Sequence, residues 1–453
     1  MRAIRRYLLM LLALLTAGVI VPARGEDSLA AAMRELRDKE AALTLNQRNM
    51  RDSLGNVVRQ EMMTHVGDSR DDSDTASVQR FRLQVSLLTC GAGTEIYEYY
   101  GHSAIRILRT DSVGLDVVFN YGVFDFNSGN FALRFALGHT DYVCAMQPTA
   151  DFLDKYRRNG IFVEEQVLNL TQAEAHRLFD ALLLNSQPEN CVYRYNFFYD
   201  NCATRVRDKI EECLDATLRY PERPTERSMR QAVHYFSHNH RWATFGQDLL
   251  LGSEADIPAT GRELQFAPII MQQDFAQTLI VDNTGIVRMF AGEKQRLVDL
   301  PPIQVRPSVF LSPLAVMLYL LIGVLVIGVW EWRKVRILWP LDSVLLLLQG
   351  LGGVLVTFLY FFSTHPTVGS NWLVWVLNPL PLVGLYWQIK GGLSKRYWYY
   401  HAVALTVLAL FMLSLPVIPQ YISLAAILML TSLLVRSLTN VIVFLKIRKK
   451  HES

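Results

Sequence analysis

The stretch Tyr199-Asp200-Asn201-Cys202-Ala203-Thr204 reads as a polar turn that opens an amphipathic helix. Asp200 and Asn201 are good helix-capping residues, so Cys202 is expected in the first helical turn. A thiol there meets unpaired backbone N–H groups and the positive end of the helix dipole, both of which favour thiolate. Val206, Ile210, Leu214 and Leu218 recur every four residues and predict one buried stripe along that helix. Far upstream, Tyr100-Gly101-His102-Ser103-Ala104 begins a strand with Ile105 and Ile107 on one face, and Ala104 and Arg106 on the other. His102 shares the Arg106 face. After the turn Asp111-Ser112-Val113-Gly114, the run Asp116 to Tyr121 reads as the returning hairpin strand. That would bring Asn120 to Asp125 back beside His102.

A cysteine at a helix start with an imidazole nearby has the makings of an activated nucleophile, with Cys202 attacking and His102 as base. Such a pair needs a third group to orient the histidine. Asn120 is the first candidate, with Asp125 and Glu95 as alternatives.

Around this pair the sequence builds a mixed domain over residues 80–305. Alternation at Leu83, Val85, Leu87 and Thr89 predicts a strand, and Thr171 with Glu174 forms a capping box for a helix to Leu184. Strands before the nucleophile helix, with helices among them, make an α+β domain. Residues 26–79 are expected to be a helical spacer and polar linker. Residues 1–25 resemble a signal peptide: Arg2, Arg5 and Arg6, an apolar stretch from Leu8 to Val21, then small residues at Ala23 and Gly25, with cleavage expected after Gly25. No cysteine follows the cleavage site, so the chain is not expected to be a lipoprotein itself. All 5 cysteines lie in the exported part, and the odd count leaves at least one thiol unpaired, expected to be Cys202. Cys90, Cys144, Cys191 and Cys213 allow three pairings, or Cys213 stays a buried free thiol.

After Pro301-Pro302 and Pro307 the character changes, and residues 306–453 are more apolar than the chain as a whole, which is 51% hydrophobic. Five apolar segments follow: Leu311–Trp330, Ser343–Phe362, Trp372–Gln388, Ala402–Ile418 and Tyr421–Leu445. Each is near the length that crosses about 30 Å of hydrocarbon, which predicts an all-α bundle of five transmembrane helices. Arg333, Lys334 and Arg336 follow the first, Lys390, Lys395 and Arg396 the third, and Lys446, Arg448, Lys449 and Lys450 the fifth. The positive-inside rule then puts the thiol domain outside and the C-terminus in the cytoplasm. Tryptophans such as Trp330, Trp339, Trp372 and Trp398 fall at the interfaces as an aromatic belt. The net charge of +3 is too small and dispersed to argue for nucleic acid.

Polar residues inside or at the ends of apolar spans are costly unless they pair or serve a function. His365, Asn371 and Asn378 fall at the outer ends of the second and third segments, on the side of the thiol domain, and are candidates to hold a lipid headgroup or glyceryl ester. Interhelical hydrogen bonding is the competing reading. Arg436, inside the fifth segment, should face the bundle or a wet cavity and completes the candidate substrate-binding set. The run His234-Tyr235-Phe236-Ser237-His238-Asn239-His240 lacks a carboxylate at ligand spacing and reads as a surface loop, so no metal and no cofactor is expected.

The segments Leu87-Leu88-Thr89-Cys90-Gly91, Tyr100 to Arg106, Asn120-Tyr121-Gly122-Val123-Phe124 and Asp200 to Arg205 resemble the exported domain of the Lnb-type lipoprotein N-acyltransferases. These form a branch of the permuted papain-like (NlpC-like) thiol superfamily in which the histidine strand precedes the cysteine helix. Thr364-His365-Pro366 and Trp375-Val376-Leu377-Asn378-Pro379 resemble that family's membrane signatures. The resemblance implies an enzyme of the bacterial inner membrane with its catalytic domain in the periplasm. Its expected partners are a membrane phospholipid as acyl donor and the N-terminal amine of a diacylglyceryl-cysteine lipoprotein as acceptor, with Cys202 as nucleophile and His102 as base. The alternative is a membrane-tethered cell-wall amidase or cysteine peptidase using the same pair with water as acceptor. Five spans argue against it, since one anchor would tether a hydrolase.

Overall fold

The computed structural model of the protein describes residues 81–111, 114–124, 131–223, 227–391 and 395–452. The expected signal peptide and spacer, and the candidate Asp125, lie outside these residues. The chain divides into two compact units. Of the described residues, the first holds those before Ala136 together with His139–Arg223 and Arg262–Ile303, and the second holds those of Ala136–Gly138, Pro224–Gly261 and Gln304–Ser453.

The first unit is built on a seven-stranded antiparallel sheet of β1 (Leu83–Cys90), β2 (His102–Arg109), β3 (Asp116–Val123), β4 (Asp141–Pro148), β5 (Val163–Leu168) and β6 (Val192–Arg194), with β10 (Ala291–Val298) at one edge. The order is β10-β5-β1-β2-β3-β4-β6, and a small second sheet joins β7 (Ala216–Arg219), β8 (Leu279–Asp282) and β9 (Val287–Met289). Both faces of the large sheet are covered. Leu83, Val85, Leu87, Ile105 and Ile107 pack against Leu178, Phe179, Val206 and Ile210, while Leu88, Cys90, Ala104 and Val118 pack against Phe152 and Tyr156. That two-sided burial leaves every residue of β1 except Gln84 buried, Ser86 and Thr89 included.

The covering helices are α1 (Thr149–Arg158), α2 (Gln172–Asn185) and α3 (Cys202–Glu212). Thr171 caps α2 through the expected box with Glu174. The stripe predicted for α3 holds only in part. Val206 and Ile210 are buried in the helix, but α3 ends at Glu212 and Leu218 lies in β7. A four-residue apolar spacing over so short a stretch fits a helix end followed by a strand as well as it fits a longer helix.

In the second unit, α4 (Met229–Ser237) and α5 (Arg241–Leu250) pack with the C-terminal helices α6 (Pro313–Lys334), α7 (Trp339–Phe362), α8 (Leu380–Gly391), α9 (Lys395–Ser414) and α10 (Leu424–Glu452). Leu249 and Leu250 join the cluster of Val356, Leu373, Leu408 and Leu430, and Phe245 packs on Ala425 and Ala426. The compact units therefore do not follow a single cut near residue 305. The histidine run is not a surface loop: it spans the end of α4, where His234 Nε2 lies 2.7 Å from Asp248 Oδ1 of α5. Arg230 is buried beside it and donates to Asp256, Asp248 and the carbonyls of Leu251 and Gly252.

Among the described residues, four helices are long and apolar enough to cross a membrane: Pro313–Lys334, Trp339–Phe362, Tyr397–Ser414 and Leu424–Lys450. The third of the five expected spans differs. It is a 3-10 turn, Trp372–Trp375, followed by α8, a helix of 12 residues, or about 18 Å at 1.5 Å per residue. Pro379 and Pro381 are the cause, since proline blocks the residue before it from helical conformation and donates no N–H. The exposed backbone of the break is satisfied from within. Asn378 Oδ1 accepts from Leu380 N at 3.1 Å, Asn378 Nδ2 donates to Trp375 O at 3.0 Å, and Gln349 Nε2 of α7 donates to Val376 O at 3.0 Å. Backbone that leaves the helix inside an apolar bundle requires such partners. Gly353 lets the break lie directly on α7: a Cβ there would fall 2.1 Å from Asn378 O.

Candidate active site

Cys202 is the first residue of α3, and Asn201 is its N-cap. Asn201 Oδ1 accepts from the N–H groups of Ala203 at 2.9 Å and Thr204 at 3.0 Å, while Thr204 Oγ1 accepts from Asn201 N at 2.8 Å. The remaining amide hydrogens of Asn201 go to Phe197 O and Phe266 O, both at 2.9 Å. One side chain thus fixes the helix start and ties the preceding loop to a distant segment. Asp200, expected to share the capping, instead pairs with Arg205. Its backbone exchanges two hydrogen bonds of 3.0 Å with Asn196, which closes the loop.

His102 opens β2, and Ile105 pairs with Phe119, which brings Asn120 and Gly122 of β3 alongside. His102 Nε2 lies 2.5 Å from Asn120 Oδ1. An amide oxygen only accepts, so Nε2 carries the proton and Nδ1 is left as the basic nitrogen. Asn120, not Glu95, holds the ring; Glu95 opens the short 3-10 turn Ile96–Glu98. Gly122 sits at an irregularity in the β3–β4 pairing with φ +85°. A Cβ added to Gly122 would lie 3.5 Å from Cys202 Cβ and 3.8 Å from His102 Cε1. The bulge places a residue without a side chain where cysteine and histidine converge.

The electrostatics overturn one expectation. Burial pushes the Cys202 thiol up to about 11, although the backbone N–H groups of Ser103, Cys202 and Ala203 hydrogen-bond the sulfur and pull the other way. Burial also drives His102 down to about 4, against the opposing hydrogen bond that it donates to Asn120. The helix start does not outweigh desolvation, and the resting pair is neutral thiol and neutral imidazole rather than an ion pair. Tyr156 stacks on the His102 ring with centroids 6.4 Å apart.

An aromatic row leads away from the thiol. Tyr142 and Tyr195 lie close enough for a charge on Cys202 to raise both their phenols, and their rings stack at 4.1 Å. Tyr142 meets Phe124 at 4.8 Å, and Phe124 meets Tyr97 at 6.1 Å. Tyr97 and its neighbour Ile96 are 47% and 57% exposed. Sequence reading missed this row because its members come from four separate segments. The exposed apolar pair Ile96-Tyr97 beside the histidine was the available signal.

The four candidate substrate-binding residues in the membrane part lie in the second unit. Asn371 is buried, its Nδ2 donating to Leu249 O at 2.8 Å and Leu250 O at 3.2 Å, its Oδ1 accepting from Leu373 N and Gln420 Nε2, each at 3.0 Å. It caps the C-terminal carbonyls of α5 and has no capacity left for a ligand. Asn378 is spent on the break before α8, as described above. The backbone N–H of His365 donates to Ser363 Oγ at 3.2 Å. Arg436 is buried and committed: Nη1 to Glu331 at 2.5 Å and Nε to Asp342 at 2.9 Å, with Asn440 also on Asp342. It ties α10 to the end of α6 and the start of α7, and two carboxylates beside it would repel an anionic headgroup. Asn371, Asn378 and Arg436 thus each make hydrogen bonds within the bundle.

Two family models match the chain. Residues 70–231 match the Lnb N-terminal periplasmic domain, and residues 305–449 match the Lnb transmembrane domain. No curated protein and no solved structure matches. With both Lnb domains present in order, an α+β domain followed by apolar helices, the chain belongs to the Lnb family of lipoprotein N-acyltransferases and is a multi-pass inner-membrane protein whose N-terminal domain faces the periplasm.

Proposed function

We propose that the protein acylates the N-terminal amine of diacylglyceryl-cysteine lipoproteins by way of a thioester on Cys202, with a membrane phospholipid as donor. The observation that carries this reading is the convergence of Cys202 and His102 over Gly122, with Asn120 holding the imidazole by Nε2. As the ester carbonyl enters, His102 Nδ1 takes the thiol proton and the sulfur attacks the carbonyl carbon. The oxyanion is received by the N–H groups at the start of α3. His102 returns the proton to the departing lysolipid oxygen, which leaves an acyl-cysteine. The lipoprotein amine attacks that thioester, His102 accepts its proton, and the thiolate leaves and is reprotonated. A pair that rests uncharged suits this sequence, because no buried ion waits without substrate. The aromatic row from Tyr97 to Tyr195 offers a long apolar wall to the fatty chain, which supports a lipid substrate over a peptide.

The test is mass spectrometry of lipoprotein N-terminal peptides from cells carrying the native chain, Cys202→Ala, or neither. Loss of N-acylation in Cys202→Ala at unchanged protein level is expected. Unchanged N-acylation in cells lacking the protein would overturn the reading, and altered wall fragments would point to the hydrolase.

A further inference from the structure

Cys144 of β4 and Cys191, immediately before β6, face each other across antiparallel chains. The register runs Asp141↔Arg194, Tyr142↔Tyr193, Val143↔Val192, and its next step sets Cys144 opposite Cys191, where Cys144 N donates to Cys191 O at 2.9 Å. Opposed residues of an antiparallel pair point to the same face with Cα atoms about 4.5–5.5 Å apart, within the span of about 4.4–6.8 Å that a disulfide bridges. The ladder is already opening there: Cys191 N turns to Gln187 O at 2.8 Å instead of completing the pair, which leaves the backbone room to adjust. Both side chains are buried thiols in this structure. The other thiols are placed elsewhere, Cys90 opposite His102, Cys202 at the head of α3 and Cys213 at its end.

We propose that Cys144 and Cys191 are joined as a cross-strand disulfide in the periplasmic domain. The bond forms by exchange with the disulfide of an exported thiol oxidase. One cysteine thiolate attacks that disulfide and expels one of its sulfurs; the second cysteine then attacks the mixed disulfide and expels the other. The two cysteines lose two electrons and two protons, and the oxidase is left as a dithiol. Both sulfurs are buried in the finished fold, so the exchange belongs to the folding of the exported chain, in a compartment that sustains disulfides. The bond staples β4 to β6, the strand that feeds the loop ending at Asn201, and leaves Cys202 a thiol for acyl chemistry.

The experiment uses full-length protein taken from cell envelopes directly into denaturant with excess N-ethylmaleimide, followed by peptide mapping with and without later reduction. Of the 5 cysteines, Cys90, Cys202 and Cys213 are expected to carry maleimide, with Cys144 and Cys191 joined until reduced. Cys144→Ser should expose Cys191 to alkylation, whereas Cys90→Ser and Cys213→Ser should leave the 144–191 link in place. Alkylation of all five cysteines in the native chain, or a link from Cys144 or Cys191 to any other cysteine, would overturn the proposal.

Discussion

Replacing Asn120 separates a catalytic arrangement from a packing accident. The amide oxygen of Asn120 receives the Nε2 proton of a buried imidazole at 2.5 Å. Asn120→Ala leaves that N–H unsatisfied where water has little access, at about 1–3 kcal/mol. It also frees the ring to place its proton on Nδ1, the nitrogen that must be basic. At 1.36 kcal/mol per decade, the first effect alone amounts to a loss of about 5- to 150-fold in kcat/KM. The pH profile adds a second readout. With His102 lowered to about 4 by burial, the base is competent throughout the neutral range, and the acid limb of kcat/KM should lie well below the usual histidine range. Asn120→Asp sets a carboxylate against the ring, favours the imidazolium, raises the histidine pKa and moves the acid limb upward. The assay is full-length protein in phospholipid nanodiscs with a diacylated lipopeptide acceptor, its N-acyl product quantified by mass spectrometry across pH. Asn120→Ala at a rate within about twofold of native, or Asn120→Asp with an unmoved acid limb, would refute the role given to this residue.

Tyr97→Ala with Phe124→Ala strips the wall along which the fatty chain is placed, and each methylene deprived of apolar contact costs about 0.8 kcal/mol. The N-acyl products should shift toward shorter or mixed chain lengths, read by mass spectrometry, while Cys202 still forms a thioester. Gly353→Ala drives a methyl into the backbone of Asn378 and should lower the amount and melting temperature of detergent-extracted protein. Gly352→Ala, facing open space among the described residues, should change neither. Arg436→Met leaves Glu331 and Asp342 buried and unpaired, costing about 3–5 kcal/mol; adding Glu331→Gln and Asp342→Asn should restore much of the melting temperature.

The catalytic candidates were legible because each depends on local grammar: a cap before Cys202, a hairpin that returns Asn120 to His102. The charge state was not. Whether a helix start yields a thiolate depends on how much protein closes over the sulfur, and the phenols near enough to feel its charge, Tyr142, Tyr156, Tyr193 and Tyr195, come from three distant stretches of the chain. The same distinction holds in the membrane part. Pro379 and Pro381 announce the broken segment to anyone weighing proline above hydropathy. That Asn371 caps the end of α5 requires knowing that residues 224–261 pack with the C-terminal helices, a pairing of segments over a hundred positions apart that no periodicity encodes.

The protonated resting thiol has a bearing on endurance. Peroxides and soft electrophiles attack the anion, and at neutral pH a thiol held near 11 presents almost none of it. As the nucleophile proposed above, Cys202 must persist in the envelope between encounters with its membrane substrates. A side chain armed only at the moment a carbonyl arrives can wait without being spent.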